Sequence, residues 1–293
     1  MRSAIVTGAT GFVGAHLVRE LVSRGVEVTA LCREGSAGLS RLPGGVRVAY
    51  GLEVLPRADA FYHLAWESAS GQGRADAALQ ARNAELALRA LERAAESGCG
   101  KFTALGTVYE KLSPQVRASD SFGGSDFYIL SKEYAHAAAD KLARKLGVAF
   151  TWCTVCHPFG RYVKREQMLA SVIDKLRGGA SVEFGPGTAY YDIVAAEDLA
   201  RGMCLAGKID AARREYYIGS GAPRTLRRYL EETSRILGGD GRIVFGARPD
   251  DGLRFEREWF DIEPLRRDAG YAPEVGFEEM VRAAAFTFRQ ASR

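Results

Sequence analysis

A glycine-rich segment near the start of the chain constrains the fold more than any other feature. Residues 8–14 read Gly-Ala-Thr-Gly-Phe-Val-Gly, after an apolar run at Ser3 to Thr7 and before a helical apolar pattern at His16 to Ser23 that Gly25 ends. Glycines at this spacing let the backbone turn tightly and approach a pyrophosphate, which the amides of a helix N-terminus then bind. Between a strand and a helix, the motif predicts a dinucleotide site. Its predicted contacts are Gly8, Gly11, Phe12, Val13 and Gly14.

Strand-like and helix-like segments alternate after this turn. Strands are predicted at Val26 to Cys32, Val46 to Tyr50, Ala60 to Leu64, Lys101 to Gly106 and Val148 to Cys156. Long helices are predicted at Ala75 to Ser97 and Phe127 to Leu146. This alternation indicates an α/β fold of the Rossmann type, a doubly wound parallel sheet with helices on both faces. The nine residues from Gly51 to Asp59 are too few for a crossover helix, so we expect the sheet to be trimmed there.

The alternation becomes irregular from about Arg161 onward, where glycine and proline interrupt the chain at 178–179, 185–187 and 219–223. We therefore assign residues 1–160 to a dinucleotide-binding Rossmann domain, to which the chain returns around 188–206. Residues 161–293 are expected to form mainly a smaller, partly interleaved C-terminal substrate-binding region.

Charge and cysteine content exclude several classes of protein. The 40 basic and 36 acidic side chains leave a scattered net charge of +4, too weak a field to argue for nucleic acid. Five unevenly spaced cysteines favour a reducing compartment, and Cys153 and Cys156 are expected to be structural thiols, not a metal or redox pair. No stretch approaches the ~20 apolar residues of a transmembrane helix, and the start does not resemble a signal peptide. We expect a cytoplasmic protein without membrane association.

The end of the second predicted strand bears on the choice of cofactor. Proteins that bind NAD usually place Asp or Glu there to bind the ribose hydroxyls. Here the position is Cys32, followed by Arg33. A missing carboxylate and an adjacent guanidinium favour the 2′-phosphate of NADP(H), with NAD(H) as the alternative if Arg33 is only a solvated loop residue.

Tyr128 and Lys132 lie one helical turn apart on one face of the second long helix. A phenol is a weak acid at neutral pH, and a neighbouring ammonium lowers its pKa by stabilising the phenolate. Tyr128 is then able to exchange a proton with an alcohol or ketone oxygen while a nicotinamide moves hydride. Downstream of a dinucleotide turn, this pair predicts an acid/base site.

These two motifs resemble the extended short-chain dehydrogenase/reductase family, whose members include nucleotide-sugar epimerases and dehydratases. His63-Leu64-Ala65-Trp66 resembles the family's H-x-A-A segment, and Asn83 occupies the place of a structural Asn. The resemblance implies cofactor contacts from Leu64, Ala65, Tyr128 and Lys132. It also implies a homodimer, because the two long helices correspond to those that pair across the family's dimer.

The segment Leu105 to Glu110 resembles the family's S/T-x-x-x-Y-G motif, with Thr107 in the place of the catalytic Ser or Thr. Thr107 is then expected to hydrogen-bond the reacting sugar oxygen. The family's 4,6-dehydratases carry an Asp-Glu pair after this Thr, and this chain has Val108 and Tyr109. Elimination of water needs an acid and a base on neighbouring carbons, so dehydratase chemistry is disfavoured.

The C-terminal half resembles the family's substrate-binding segments, with departures. His157 replaces the Asn that helps hold the nucleotide sugar, which leaves open a second proton donor or a packed core histidine. Tyr191 replaces a phosphate-binding Arg, and Arg248 stands where the family carries a diphosphate-binding Arg. Leu52 replaces the Asp that usually contacts the adenine.

Three functions fit this sequence. The first is an NADPH-dependent 4-ketoreductase of a nucleotide-linked sugar, or a 4-epimerase with retained NAD. The second is a reductase of a ketone without a nucleotide; Arg248 and the basic loop Arg161 to Arg165 favour a phosphorylated substrate, and Tyr191 argues against one. The third is a dinucleotide sensor without catalysis, which the presence of both Tyr128 and Lys132 disfavours.

Overall fold

The structure is a computed structural model that describes residues 1–210, 215–250 and 252–290. Its strands are β1 Ser3–Thr7, β2 Glu27–Cys32, β3 Arg47–Tyr50, β4 Ala60–His63, β5 Lys101–Leu105, β6 Ala149–Thr154, β7 His157–Phe159, β8 Val182–Phe184, β9 Tyr190–Tyr191, β10 Ile193–Ala195, β11 Glu215–Tyr217, β12 Arg224–Thr225 and β13 Ile243–Phe245. Its α-helices are α1 Phe12–Ser23, α2 Ala77–Glu96, α3 Ser113–Ala118, α4 Asp126–Leu146, α5 Met168–Arg177, α6 Ala196–Ala206, α7 Leu226–Ile236, α8 Glu263–Ala269 and α9 Phe277–Gln290.

The chain forms two compact units. The first contains Met1–Val155, Leu199–Ile218 and Ile262–Tyr271, and the second contains Cys156–Asp198, Gly219–Asp261 and Ala272–Arg293. The chain therefore leaves the first unit after β6 and returns to it twice.

A seven-stranded sheet organises the first unit. Its order is β11-β6-β5-β4-β1-β2-β3, and all neighbouring strands are parallel. The strand order reverses between β1 and β4, which is the topological switch point where ligands bind in sheets of this kind. The predicted α/β fold of the Rossmann type, with a doubly wound parallel sheet, is confirmed.

Alternating side chains bury the two faces of this sheet against different elements. Phe61 of β4 stacks on Phe102 of β5, with ring centroids 5.2 Å apart, in a core that includes α2 and α4. Alanines on both helices, among them Ala87 and Ala139, allow close approach to the rings. The next residue, Tyr62, points to the opposite face, and its hydroxyl lies against Gly207 just after α6.

The connection from β3 to β4 has no helix, as its length predicted. The strand β3 is nevertheless present at the edge of the sheet. Only the crossover helix is missing at this edge, and the strand is not. The element bounds differ from prediction in other places. The first helix begins at Phe12, and the long strand predicted up to Cys156 ends at Thr154, because the chain then enters β7 of a separate two-stranded sheet.

The second unit packs helices on short strands. Leu176 of α5 and Leu230 of α7 form its apolar core with Val182 of β8, which pairs in parallel with β13. The carboxylate of Asp198 accepts hydrogen bonds from the backbone N–H groups of Glu274 and Val275, both at 3.0 Å. This buried acid holds the segment that leads into α9.

The cysteines are free and buried. Burial raises the pKa of Cys153 to about 12 and raises the pKa of Cys156 as well, so both thiols stay protonated at neutral pH. Among the described helices, none is both long and apolar enough to span a bilayer.

Candidate active site

The glycine turn between β1 and α1 has no room for side chains. Gly8 has a φ of +66°, and a Cβ there would lie 2.8 Å from the backbone nitrogen of Ala65. A Cβ on Gly14 would lie 2.0 Å from the carbonyl oxygen of Gly8, and Gly11 donates its N–H to that same oxygen at 2.9 Å. The turn thus exposes backbone amides at the N-terminus of α1, which fits the pyrophosphate of a dinucleotide.

Thr7 joins this turn to the segment after β4. Its hydroxyl accepts hydrogen bonds from the N–H groups of Leu64 at 3.2 Å and Ala65 at 3.3 Å, and it pairs with Nδ1 of His63 at 3.0 Å. Burial, with a smaller contribution from the charge of nearby Lys132, lowers the pKa of His63 to about 3, so the imidazole is neutral. His63 therefore acts as a structural bridge at the switch point.

Asn83 on α2 fixes the far end of the same segment. Its side chain accepts from the N–H of Glu67 and donates to the carbonyl of Glu67, both at 2.9 Å. Trp66, beside Glu67, donates its indole N–H to Gln80 at 2.8 Å. Residues 64–67 are thus held at both ends, with Leu64 and Ala65 against the glycine turn.

The end of β2 carries Cys32 and Arg33 beside the glycine turn. Cys32 is buried, whereas the Arg33 side chain is 86% exposed and forms a 3.7 Å ion pair with Glu67. The hydroxyl of Ser36 hydrogen-bonds that of Thr10 at 2.9 Å. Arg41 donates to the carbonyl of Thr10 at 3.1 Å. Ser36 and Arg41 were missed in the sequence because neither belongs to a motif.

Tyr128 and Thr107 come together in the first unit. Tyr128 lies in the first turn of α4, Thr107 follows β5, and both are about 95% buried. The Thr107 side chain lies close enough to the phenol to lower its pKa. Burial raises the pKa of Tyr128; Arg74 and the Thr107 side chain lower it, and the charge of Glu110 raises it. A buried phenol and a second hydroxyl thus converge on one point.

Lys132 lies one turn after Tyr128 and is equally buried. Its ammonium donates to the carbonyl of Leu105 at 2.8 Å and lies 3.7 Å from the centroid of the Trp66 ring. Burial lowers the pKa of Lys132 to about 7, Glu110 raises it, and Arg74 lowers it. Lys132 therefore loses its proton far more easily than an exposed lysine does.

Glu110 organises the hydroxyl side of this site, and the sequence interpretation missed it. Its carboxylate accepts from the N–H of Thr107 at 2.8 Å, from the indole of Trp152 at 3.0 Å and shares a 3.1 Å contact with Nδ1 of His136. With Thr107 it forms a capping box on the 3₁₀ helix Val108–Leu112. The T-x-x-E spacing was the available signal.

Arg74 is the second residue that motif analysis missed. It lies in a 3₁₀ helix, Gln72–Ala75, and its guanidinium carbon is 4.4 Å from the centroid of the Tyr128 ring and 5.0 Å from that of Tyr109. The sequence interpretation gave the role of neighbouring cation to Lys132; in the structure, Arg74 lies over the phenol ring.

The predicted substrate residues belong to the second unit. His157 is half-buried in β7, and its backbone N–H donates to the carbonyl of Asp192 at 3.1 Å. Tyr191 is buried, with its ring 5.3 Å from that of Phe255 in an edge-on contact. Arg248 is exposed, and its backbone N–H donates to Phe184. Their roles toward a substrate remain predictions.

Comparison with known proteins decides the family. Residues 4–219, well over half of the chain, match the model of the NAD dependent epimerase/dehydratase family. The chain belongs to that family. The predicted resemblance to extended short-chain dehydrogenase/reductases, and the prediction of an enzyme of that type, are confirmed for this epimerase/dehydratase family member.

Relatives of this epimerase/dehydratase family member carry different activities. A dTDP-glucose 4,6-dehydratase of Streptomyces griseus is 26% identical over 313 residues, covering 95% of this chain and 92% of the relative. A 2-alkyl-3-oxoalkanoate reductase of Stenotrophomonas maltophilia is 26% identical over 339 residues, covering 95% and 97%. The structure of a dTDP-glucose 4,6-dehydratase of Streptomyces venezuelae, solved with NAD bound, matches with a TM-score of 0.81 and 24% identity, covering 98% of this chain and 97% of that chain.

Proposed function

We propose that the protein is an NADPH-dependent ketoreductase that reduces a 4-keto group on a nucleotide-linked sugar. The observation that carries this proposal is the buried hydroxyl pair of Tyr128 and Thr107, with Lys132 one turn away. Two hydroxyls at one point suit a single carbonyl oxygen, because one donates a proton while the other fixes the oxygen by a hydrogen bond.

The chemistry follows from these groups. A bound nicotinamide would supply hydride to the carbonyl carbon. Tyr128 gives its phenol proton to the carbonyl oxygen, so that the ketone becomes an alcohol and Tyr128 becomes a phenolate. Thr107 donates a hydrogen bond to the same oxygen, and the backbone N–H of Thr107 is itself held by Glu110. Burial of the three side chains keeps water from competing for the proton.

The residues after Thr107 support reduction over dehydration. Val108 is apolar and fully buried, and Tyr109 carries no carboxylate. Glu110 is the nearest acid in the sequence, and its oxygens are engaged by Thr107, Trp152 and His136. None of these three positions offers the acid/base pair that elimination of water needs.

The preference for NADPH rests on the end of β2. No carboxylate occupies position 32, and the Arg33 side chain is exposed to solvent. Ser36 and Arg41 both hydrogen-bond Thr10 of the glycine turn. Guanidinium and hydroxyl groups are the donors that a 2′-phosphate prefers.

The deciding experiment measures NADPH and NADH binding to the purified protein and then mixes the tighter complex with 4-keto nucleotide sugars. We expect NADPH to bind more tightly and its absorbance to fall with substrate. Tyr128→Phe should still bind NADPH and should reduce nothing. Arg33→Ala should weaken NADPH binding without weakening NADH binding. NAD that copurifies and is never consumed would instead assign a 4-epimerase.

A reductase of a ketone without a nucleotide is the second candidate. Tyr191, at the place of a phosphate-binding Arg, is buried against Phe255 and offers no positive charge. The Stenotrophomonas relative is a 2-alkyl-3-oxoalkanoate reductase. A 2-alkyl-3-oxoalkanoate therefore belongs in the same substrate panel, and its reduction in preference to every nucleotide sugar would favour this candidate.

A further inference from the structure

Arg74 occupies a defined position against the proposed proton donor. Its guanidinium lies over the rings of both Tyr128 and Tyr109, which meet edge-on with centroids 6.4 Å apart. A phenolate spreads its charge into its ring, so a cation at 4.4 Å from the ring centroid stabilises the phenolate more than the neutral phenol.

Hydrogen bonds to two neighbouring segments fix the 3₁₀ helix that carries Arg74. Arg74 donates its Nε–H to the carbonyl of Ala69 at 2.7 Å, which leaves the rest of the guanidinium directed at the rings. The fully buried Gln80 of α2 donates to the carbonyl of Gly73 at 2.8 Å and accepts the indole N–H of Trp66. The guanidinium is therefore placed by hydrogen bonds and not only by its own long side chain.

Lys132 is less suited to the same task. Its ammonium is directed at the carbonyl of Leu105 and the face of Trp66, and burial lowers its pKa to about 7. Above that pH most Lys132 side chains are neutral. A guanidinium does not lose its proton in proteins, so the charge of Arg74 persists at every pH at which the enzyme folds.

Three titratable or charged groups act on the phenol: Arg74 from the 3₁₀ helix before α2, and Tyr109 and Glu110 from the 3₁₀ helix after β5. Lys132 follows one turn later on the same helix as Tyr128, and the neutral His63 of β4 is close to Lys132. Among the residues that the structure describes, no carboxylate forms an ion pair with Arg74. Its charge is thus left to act on the rings.

We propose that Arg74 is a positioning residue that holds a permanent positive charge against Tyr128 and so stabilises its phenolate form. This proposal rests on the acid/base role proposed above for Tyr128. The sequence interpretation gave Lys132 the task of lowering the pKa of Tyr128, and the proposal gives that task to Arg74. Lys132 then binds the Leu105 carbonyl and the cofactor.

The test is the titration of a single difluorotyrosine, incorporated at position 128 and followed by fluorine NMR without cofactor or substrate. Fluorine lowers the phenol pKa, so the titration falls where the protein stays folded. A nearby cation shifts a pKa by about 1–3 units, so Arg74→Gln should raise the midpoint by about 1 unit or more. Arg74→Lys, which keeps the charge, should raise it less. Arg82→Gln, an exposed arginine of α2, should leave it unchanged.

The comparison with Lys132→Met separates the two cations. We expect this variant to raise the midpoint by less than Arg74→Gln does. A midpoint unmoved in Arg74→Gln, or moved more by Lys132→Met, would overturn the proposal. Arg74→Met replaces the Gln variant if the latter does not fold, with the same expected shift.

The readout also separates this proposal from the proposed function. The fluorine titration needs no reaction, so a shift in Arg74→Gln supports Arg74 even if no ketone is reduced. If the wild type is a reductase, the pH profile of turnover for Arg74→Gln should move upward by the same amount as the fluorine midpoint. A lower rate without a shifted profile would mean a merely structural role and contradict the proposal.

Discussion

Lys132 is a buried amine whose protonation couples the stability of the fold to pH. Its pKa falls from an ordinary 10.5 to about 7 on folding, because burial penalises the ammonium. Between these two pH values the unfolded chain binds more protons than the folded one, so this group makes the free energy of unfolding rise with pH. Below about pH 7 both states are protonated, and the full cost of burying the charge is present.

We predict that Lys132→Met removes this pH-dependent cost. The variant should exceed the wild type in free energy of unfolding by the largest amount at about pH 7 and below. This difference should shrink as the pH rises toward 10. Urea unfolding across this range measures the difference. Lys141→Met, an exposed lysine of the same helix, is the matched control and should show no such trend. A constant difference between Lys132→Met and wild type would show that the amine is not neutralised on folding.

Glu110 satisfies two buried donors at once, and its loss should be costly. Glu110→Ala leaves the N–H of Thr107 and the indole N–H of Trp152 without this acceptor. Each unsatisfied buried donor costs about 1–3 kcal/mol, so we expect the loss of both to lower the free energy of unfolding by about 2–6 kcal/mol. Chemical denaturation checks this value. Glu92→Ala, exposed on α2, should change stability by no more than about 0.5 kcal/mol; an equal loss in both variants would disprove a specific role for Glu110.

At the scale of elements, the contact between α1 and the end of β1 depends on Gly14. A Cβ at this position would lie 2.0 Å from the carbonyl oxygen of Gly8, so α1 must move away from the turn. We expect Gly14→Ala to weaken dinucleotide binding by about tenfold or more, because about 1.4 kcal/mol of distortion already corresponds to that factor. Isothermal titration with NADPH and NADH measures the loss. Gly44→Ala, whose Cβ would meet nothing within 4 Å, should bind like the wild type.

The strands and long helices were predictable because glycine turns and apolar periodicity are local signals. Gly25 and Gly147 marked the ends of their helices correctly to within two residues. The start of α1 was not visible, since Phe12 to Gly14 belong to the glycine motif and to the helix at once. Asp76 caps α2 by accepting the N–H of Leu79 at 2.9 Å, which moved the start of that helix from Ala75 to Ala77.

The candidate site was predictable only where its residues belong to motifs. Tyr128, Lys132 and Thr107 were found by spacing and resemblance, and the structure brings them together in one unit. Arg74 and Glu110 act through contacts with residues that are distant along the chain, such as Tyr128 and Trp152. A single sequence does not record which distant side chains contact each other, so the roles of Arg74 and Glu110 were not predictable from it.

At the scale of the whole molecule, association is predicted from family resemblance through α2 and α4. Tyr134 of α4 is 59% exposed in the single chain and lies on one of the two helices through which the resemblance implies pairing. We expect light scattering to give twice the mass of the chain, and Tyr134→Arg to shift the protein toward monomers. Tyr50→Arg, at an equally exposed tyrosine on the edge strand β3, should not. A wild-type monomer at all concentrations would refute the dimer.

The link between β3 and β4, which contains no helix, is only slightly longer than the distance that it spans. Because β1 and β2 lie between β3 and β4, the link must cross three strand spacings of about 4.8 Å each. It must also return along the strands by about four residues, so the straight path is roughly 20 Å. Nine residues extend to about 30 Å at most. The spare length is therefore about 10 Å, or three residues. Val54, 85% exposed within this link, marks a point where extra sequence is tolerated, whereas a deletion of more than about three residues would detach the edge strand from the sheet.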